Sequence, residues 1–202
     1  MQDGILALPG PVVTMVGRGD LLAVFYHGGS PLVTAAGASQ CLHYQLLDVR
    51  RSAVVASGPL PLSPRALLLW CGVSNAGILH AVDSEGVLYG LVKGFGWHWT
   101  PLLETQRLKR NKLDAFWPVG VHGNSFMCTL LKGGDEHPST NPKPLVTSLP
   151  FWLPLVAVPG GDGQGLLRLE ETRLLSRLFL NHKAHQQEAL AREGLEEVGC
   201  VM

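Results

Sequence analysis

The stretch from Asp83 to Gly123 constrains this chain most: "VDSEGVLYGLVKGFGWHWTPLLE", a basic spacer, then "LDAFWPVGVHGN". Asp83-Ser84-Glu85-Gly86 has the make-up of a tight hairpin turn, with an acid and a serine to open it and glycine where a positive φ is needed. Apolar runs flank it on both sides. The pattern is that of one hairpin in a repeating β architecture.

Turn residues recur along the chain. There are 24 glycines and 14 prolines in 202 residues, well above the roughly 12% usual for the pair. Charged residues make up only 16%, below the usual ~25%, so many turns and few solvated helices follow. With 46% hydrophobic content the chain can bury a core, enough for one domain with an appendage. Short apolar runs predict strands at Val12 to Val16, Leu21 to His27, Leu42 to Val49, Ser52 to Ala56, Ala66 to Val73 and Ile78 to Val82. Further strands are expected at Val87 to Val92, Trp97 to Leu102, Ala115 to His122, Phe126 to Leu131 and Leu153 to Val158. Intervals near 8 to 12 residues belong to sandwiches, barrels and propellers. The pattern alone says all-β. Trp70, Trp97, Trp99, Trp117 and Trp152 lie within or beside these strands, and packing between sheets is their expected role.

Two loops interrupt the series. Lys132 to Pro144 is polar and rich in Gly and Pro, hence an exposed connection. Gln106 to Lys112, "QRLKRNK", is the one dense basic cluster. It has the composition of a phosphate contact or an import signal, but Glu104 and Asp114 flank it and favour a solvated loop. Sixteen cationic and sixteen acidic side chains cancel, which leaves no overall electrostatic footprint for nucleic acid, and direct binding is not expected.

After Pro159 the character changes. "GGDGQG" precedes a run with helical periodicity, in which Leu167, Leu174 and Leu178, with Leu175 and Phe179 beside them, recur at spacings of three, four and seven. Glu170 and Glu171 near its start, Arg192 near its end and Gly194 as a stop complete a helix of about 25 residues. That stripe must pack on something, and is the candidate contact face. The division expected is a β region over 1–159, a Gly-rich hinge over 160–165, the helix over 166–193 and a tail over 194–202.

The motifs that carry chemistry are thin. "LVAVPGGDGQGLL" runs strand, glycine loop, helix, but Leu166 stands where a third glycine belongs and no Gly-Lys-Ser/Thr follows. His182, His185 and Glu188 supply at most part of a metal set. Cys41 and His43 alternate along a strand and share a face, as a packed thiol beside a histidine. Ser74 in "GVSNAG" lacks the spacing of a nucleophile elbow. No cofactor or metal is expected. Cys41, Cys71, Cys128 and Cys200 lack C-x-x-C spacing, and with no basic-then-apolar leader at the N-terminus, free thiols in a reducing intracellular compartment are expected. No apolar run approaches the ~20 residues of a membrane span.

"VDSEGV", "GFGWHWTP" and "FWPVGVH", together with "LPGPVVTMVG", "LLAVFYHGG", "CLHYQLLDV", "GPLPLSPRALLLWCGVSNAG", "NPKPLVTSLPFWLP" and "RLFLNHKAHQQEALAREG", are collinear from about Leu8 to Gly194. They resemble the SepB region of the replisome adaptor family called WD repeat and HMG-box DNA-binding protein. The resemblance implies a partial, truncated β-propeller of antiparallel blades followed by the first helix of a helical bundle. It implies a non-enzymatic, nuclear, chromatin-associated scaffold. Intact members are expected to form homotrimers and to link the replicative helicase, through its GINS and CMG components, to DNA polymerase α. Two alternatives stay open: a small β-scaffold hydrolase in which Ser74, His80 and Asp83 converge, and an unrelated closed β interaction domain.

Overall fold

A computed structural model describes residues 5–34, 37–94 and 96–153. The architecture is all-β and antiparallel. The first sheet contains β1 (Val12–Arg18), β2 (Leu21–His27), β5 (Leu42–Asp48) and β6 (Ala53–Pro59) in the order β1-β2-β5-β6. Between β2 and β5 a small hairpin is inserted, β3 (Leu32–Thr34) on β4 (Gly37–Ser39). The second sheet is a meander of β7 (Leu68–Val73), β8 (Leu79–Asp83), β9 (Val87–Val92) and β10 (His98–Glu104). A 3-10 turn, Thr105–Leu108, leads toward the third sheet of β11 (Ala115–His122), β12 (Ser125–Leu131) and β13 (Val146–Pro150). The first strands of the three sheets are neighbours, with β7 lying against both β1 and β11. Among the described residues, those up to Leu91 and those from Trp99 on form one compact unit, and those between belong to a second.

Sequence alternation explains which faces are buried. On β5, Leu42, Tyr44 and Leu46 are buried while the residues between them are half-buried. Period two puts the first set on one face. β8 is different, with all five residues buried, as expected of an interior strand covered on both faces. Between the sheets, Trp99 packs edge-on against Tyr44 at 5.1 Å and tilted against Phe25 at 6.4 Å. Such pairs favour offset or edge contacts because the ring faces are negative and the edges positive. Pro118 is accommodated within β11 because that strand is a sheet edge and its register shifts between Pro118 and Gly120.

The expected strands Leu21 to His27, Val87 to Val92 and Ala115 to His122 are found with those bounds. Most others shift by one to three residues at an end. Of the last expected strand only Leu153 lies within the described residues, and it is not in a strand; the third sheet is completed by β13, just after the polar connection, where no strand was expected. Its exposed Val146, Thr147 and Ser148 carry no inward alternation, so the strand exists by virtue of pairing to β12. Two tryptophans also depart from the packing role. Trp117 and Trp152 are exposed, the first with its ring edge-on to His137 at 5.4 Å.

The hinge, the helix with Leu167, Leu174, Leu175, Leu178 and Phe179, and His182, His185, Glu188 and Cys200 lie outside the described residues. Among the described residues no helix is long and apolar enough to cross a membrane.

Candidate interaction surface

The Asp83–Gly86 turn is the anchor of the second sheet. Gly86 takes φ +79° and its N–H donates to the Asp83 carbonyl at 2.9 Å. The Asp83 side chain is fully buried and accepts three hydrogen bonds. Val87 N–H reaches Oδ1 at 2.9 Å, while Ser63 N–H at 3.1 Å and the Tyr89 hydroxyl at 3.3 Å reach Oδ2. Ser63 Oγ lies 3.1 Å from the same Tyr89 hydroxyl. Burial pushes the Tyr89 phenol above its ordinary value; the bond to Ser63 opposes this and the nearby Asp83 carboxylate adds to it. A buried carboxylate with its lone pairs occupied by backbone and phenol donors is a structural clamp. It ties the loop before β7 to the β8–β9 hairpin.

The three residues of the hydrolase alternative take separate places. Ser74 Oγ accepts the Ile78 N–H at 3.2 Å and so closes its own turn before β8. His80 and Asp83 are three apart on β8, which sends their side chains to opposite faces. His80 Nδ1 donates to the Ile78 carbonyl at 2.8 Å, and its ring lies 6.2 Å from that of Phe151. Asp83 is spent on the clamp. Cys41 lies just before β5 and His43 within it; a Cβ on Gly28 would meet the His43 ring at 2.3 Å, and one on Gly29 the Cys41 sulfur at 3.8 Å. Among the described residues no group of three or more His, Cys, Asp or Glu side chains could hold a metal ion. Cys41, Cys71 and Cys128 are free. Burial pushes the Cys71 thiol up to about 11 against an opposing hydrogen bond with Thr14, and pushes Cys128 up to about 11.

Six of the sixteen exposed large apolar side chains among the described residues lie on the first strands. Val12, Val13 and Met15 on β1, Leu69 on β7, and Trp117 and Val119 on β11 all face solvent, Met15 at 62%. Because β7 lies against β1 and β11, these side chains are carried by neighbouring strands, and they form the candidate surface for protein contacts. Sequence reasoning placed the strands but missed this exposure, since an apolar residue on a strand does not itself say which face is covered.

An antiparallel scaffold with a structural carboxylate clamp and solvent-facing apolar strands is the class of protein the fold defines. Residues 1–155 match the family described as Minichromosome loss protein, Mcl1, middle region, and the chain belongs to that family, which is also that of the WD repeat and HMG-box DNA-binding proteins. It is 36% identical over 200 residues to human WD repeat and HMG-box DNA-binding protein 1, covering 97% of this chain and 17% of the relative. It is 31% identical over 196 residues to Protein ENHANCER OF LHP1 1 of Arabidopsis thaliana, covering 97% of this chain and 20% of that protein. Minichromosome loss protein 1 of Schizosaccharomyces pombe is 32% identical over 148 residues, with 69% of this chain and 18% of that protein covered. The chain thus spans a fifth or less of the length of these relatives.

Proposed function

We propose that this chain is part of a propeller-type protein-interaction scaffold that serves DNA replication on chromatin, and that it catalyses no reaction itself. The observation that carries this reading is the neighbourhood of β1, β7 and β11. Successive antiparallel sheets whose first strands converge are the blade arrangement of a β-propeller. Relatives named for WD repeats and for minichromosome loss support the same reading.

On it, residues 1–159 supply SepB-type propeller blades, 160–165 the hinge, and 166–193 the first helix of a bundle, with 194–202 as a tail. The helix offers Leu167, Leu174, Leu175, Leu178 and Phe179 to a partner helix. The scaffold is nuclear and works by protein contacts: self-association into trimers, and coupling of helicase components to DNA polymerase α. The resemblance assigns the family's peptide-capturing groove to other helices of the bundle, so residues 1–193 by themselves are not expected to hold those peptides.

Chemical crosslinking with mass spectrometry, on the chain mixed with a purified full-length relative, tests the scaffold role. Crosslinks between the sheets of the two proteins are expected, and an absence of co-assembly at micromolar concentration overturns it. Fluorescence anisotropy with helical peptides from polymerase α and the helicase is expected to show no micromolar binding to the chain alone. Binding would place the peptide site on the sheets or the single helix.

A further inference from the structure

Arg107, Lys109, Arg110 and Lys112 form the densest run of cations in the sequence, on the connection between β10 and β11. In sequence, Glu104 and Asp114 flank and balance it. In the fold both acids are committed to the loop's own architecture. Glu104 closes on the Arg107 guanidinium at 2.6 Å. Asp114 is buried, and its Oδ2 accepts the Asn111 N–H at 3.1 Å while its own N–H donates to the Asn111 carbonyl at 3.1 Å. Among the described residues, Lys109, Arg110 and Lys112 take part in no ion pair, and Arg110 and Lys112 are exposed. The zero formal charge of the chain conceals a local excess.

The loop is also held in place. Thr105 donates twice to the Gly86 carbonyl, from N–H and from Oγ1, each at 2.9 Å. At the far end the Leu113 carbonyl accepts the Gly134 N–H at 3.2 Å. The cations therefore project from a platform pinned at both ends, and little backbone ordering remains to be done on binding. Other charged groups nearby in the fold are exposed: Glu85 in the turn that receives Thr105, and Lys132, Asp135 and Glu136 on the segment that reaches Leu113.

We infer that the loop from Gln106 to Lys112 is a contact site for the phosphate backbone of nucleic acid. It presents point charges and two exposed side-chain amides, Gln106 and Asn111, and the exposed Leu113 follows it in sequence. That is the composition of sequence-independent phosphate contact, whereas an acidic peptide partner needs buried apolar anchors. Three free cations make the contact weak alone, an auxiliary hold rather than a reader of sequence.

The test is fluorescence anisotropy of the full 202-residue chain with labelled duplex and single-stranded DNA of unrelated sequence, across a salt series. Three phosphate contacts predict a slope of log K against log salt of about −2.7 for duplex and about −2.1 for single strands. Lys109→Gln, Arg110→Gln and Lys112→Gln together are expected to lower affinity at least tenfold at low salt and flatten the slope, with an unchanged circular dichroism spectrum. Asp135→Asn with Glu136→Gln is expected to raise affinity. The control, Arg18→Gln with Arg50→Gln, removes two exposed cations elsewhere and is expected to leave the slope unaltered. The inference is overturned if the chain shows no salt-dependent binding, if the control weakens it as much as the loop variant does, or if polyglutamate binds the loop more tightly than DNA does.

Discussion

Gly86 and Thr105 are fitted to one another: both donors of Thr105 converge on the Gly86 carbonyl at 2.9 Å, and a Cβ on Gly86 would sit 2.2 Å from Thr105 Oγ1. The glycine is therefore required twice, once for its φ of +79° and once for the space above it. Gly86→Ala is expected to cost about 2–4 kcal/mol, from left-handed strain together with the clash. Thr105→Ala alone is expected to cost about 1 kcal/mol, for the one side-chain hydrogen bond lost. In the double variant the clash is gone and only the strain remains, so the two costs fall short of additivity. A double-mutant cycle by urea denaturation measures this, and strict additivity would contradict the fit.

A second expectation concerns the carboxylate clamp. Asp83→Ala leaves the Tyr89 hydroxyl and the Ser63 and Val87 N–H groups without their acceptor in a buried setting. About 3 kcal/mol of destabilisation is expected from three donors losing one acceptor. Ser74→Ala removes a single turn bond and is expected to cost about 1 kcal/mol. Equal costs would mean that Asp83 is not the anchor of this region.

The Asp83–Gly86 turn was legible in sequence because its chemistry is local: an acid to accept the next strand's first N–H, and a glycine for positive φ. β2, β9 and β11 were legible because apolar runs bounded by turn residues leave few alternatives. β13 was not. Val146 to Pro150 lacks alternation and follows a proline-rich stretch, so only its pairing to β12, from Ser125↔Pro150 to Thr129↔Val146, defines it. The roles of Glu104 and Asp114 were hidden for a related reason. Sequence shows acids beside bases and suggests mutual neutralisation, whereas direction decides it, and Asp114 turns inward onto Asn111. Ser74, His80 and Asp83 invited a catalytic reading by residue type, and strand parity on β8 separates two of them.

The thiols of half-buried Cys71 and buried Cys128 set an alkaline limit to stability. Cys71 and Cys128 are pushed up to about 11 by burial, above the ordinary thiol value. Each therefore favours the fold fully while the unfolded thiol is still protonated, and that contribution is lost as pH rises through the folded value. Tyr44 and Tyr89, also raised by burial, extend the loss upward from the ordinary phenol range. The melting temperature is expected to fall as pH goes from 9 to about 11, and Cys71→Ala with Cys128→Ala to flatten the lower part of that fall. A thiol reagent at pH 8 is expected to label Cys128 only after denaturant is added, since it has no exposure in the fold. Prompt labelling of native protein at Cys128 would contradict its burial.

Self-association is the last expectation, and it rests on β1. This strand stands at the end of its sheet, seven residues long with Arg18 as its one charge, and shows Val12, Val13 and Met15 to solvent. Apart from a register shift between Val12 and Thr14, this edge strand has neither inward charges nor proline to discourage pairing with another chain. Light scattering coupled to size exclusion is expected to give a mass above that of the monomer, increasing with concentration. Val13→Lys with Met15→Lys should shift the population toward monomer, and because both positions are exposed in the monomer the melting temperature of that species should change little. If the wild type is a monodisperse monomer at every concentration, the exposed apolar side chains of β1 serve no contact between copies. If the lysine variant associates as strongly as the wild type, the contact lies elsewhere, with Trp117 and Val119 of β11 as the next side chains to replace.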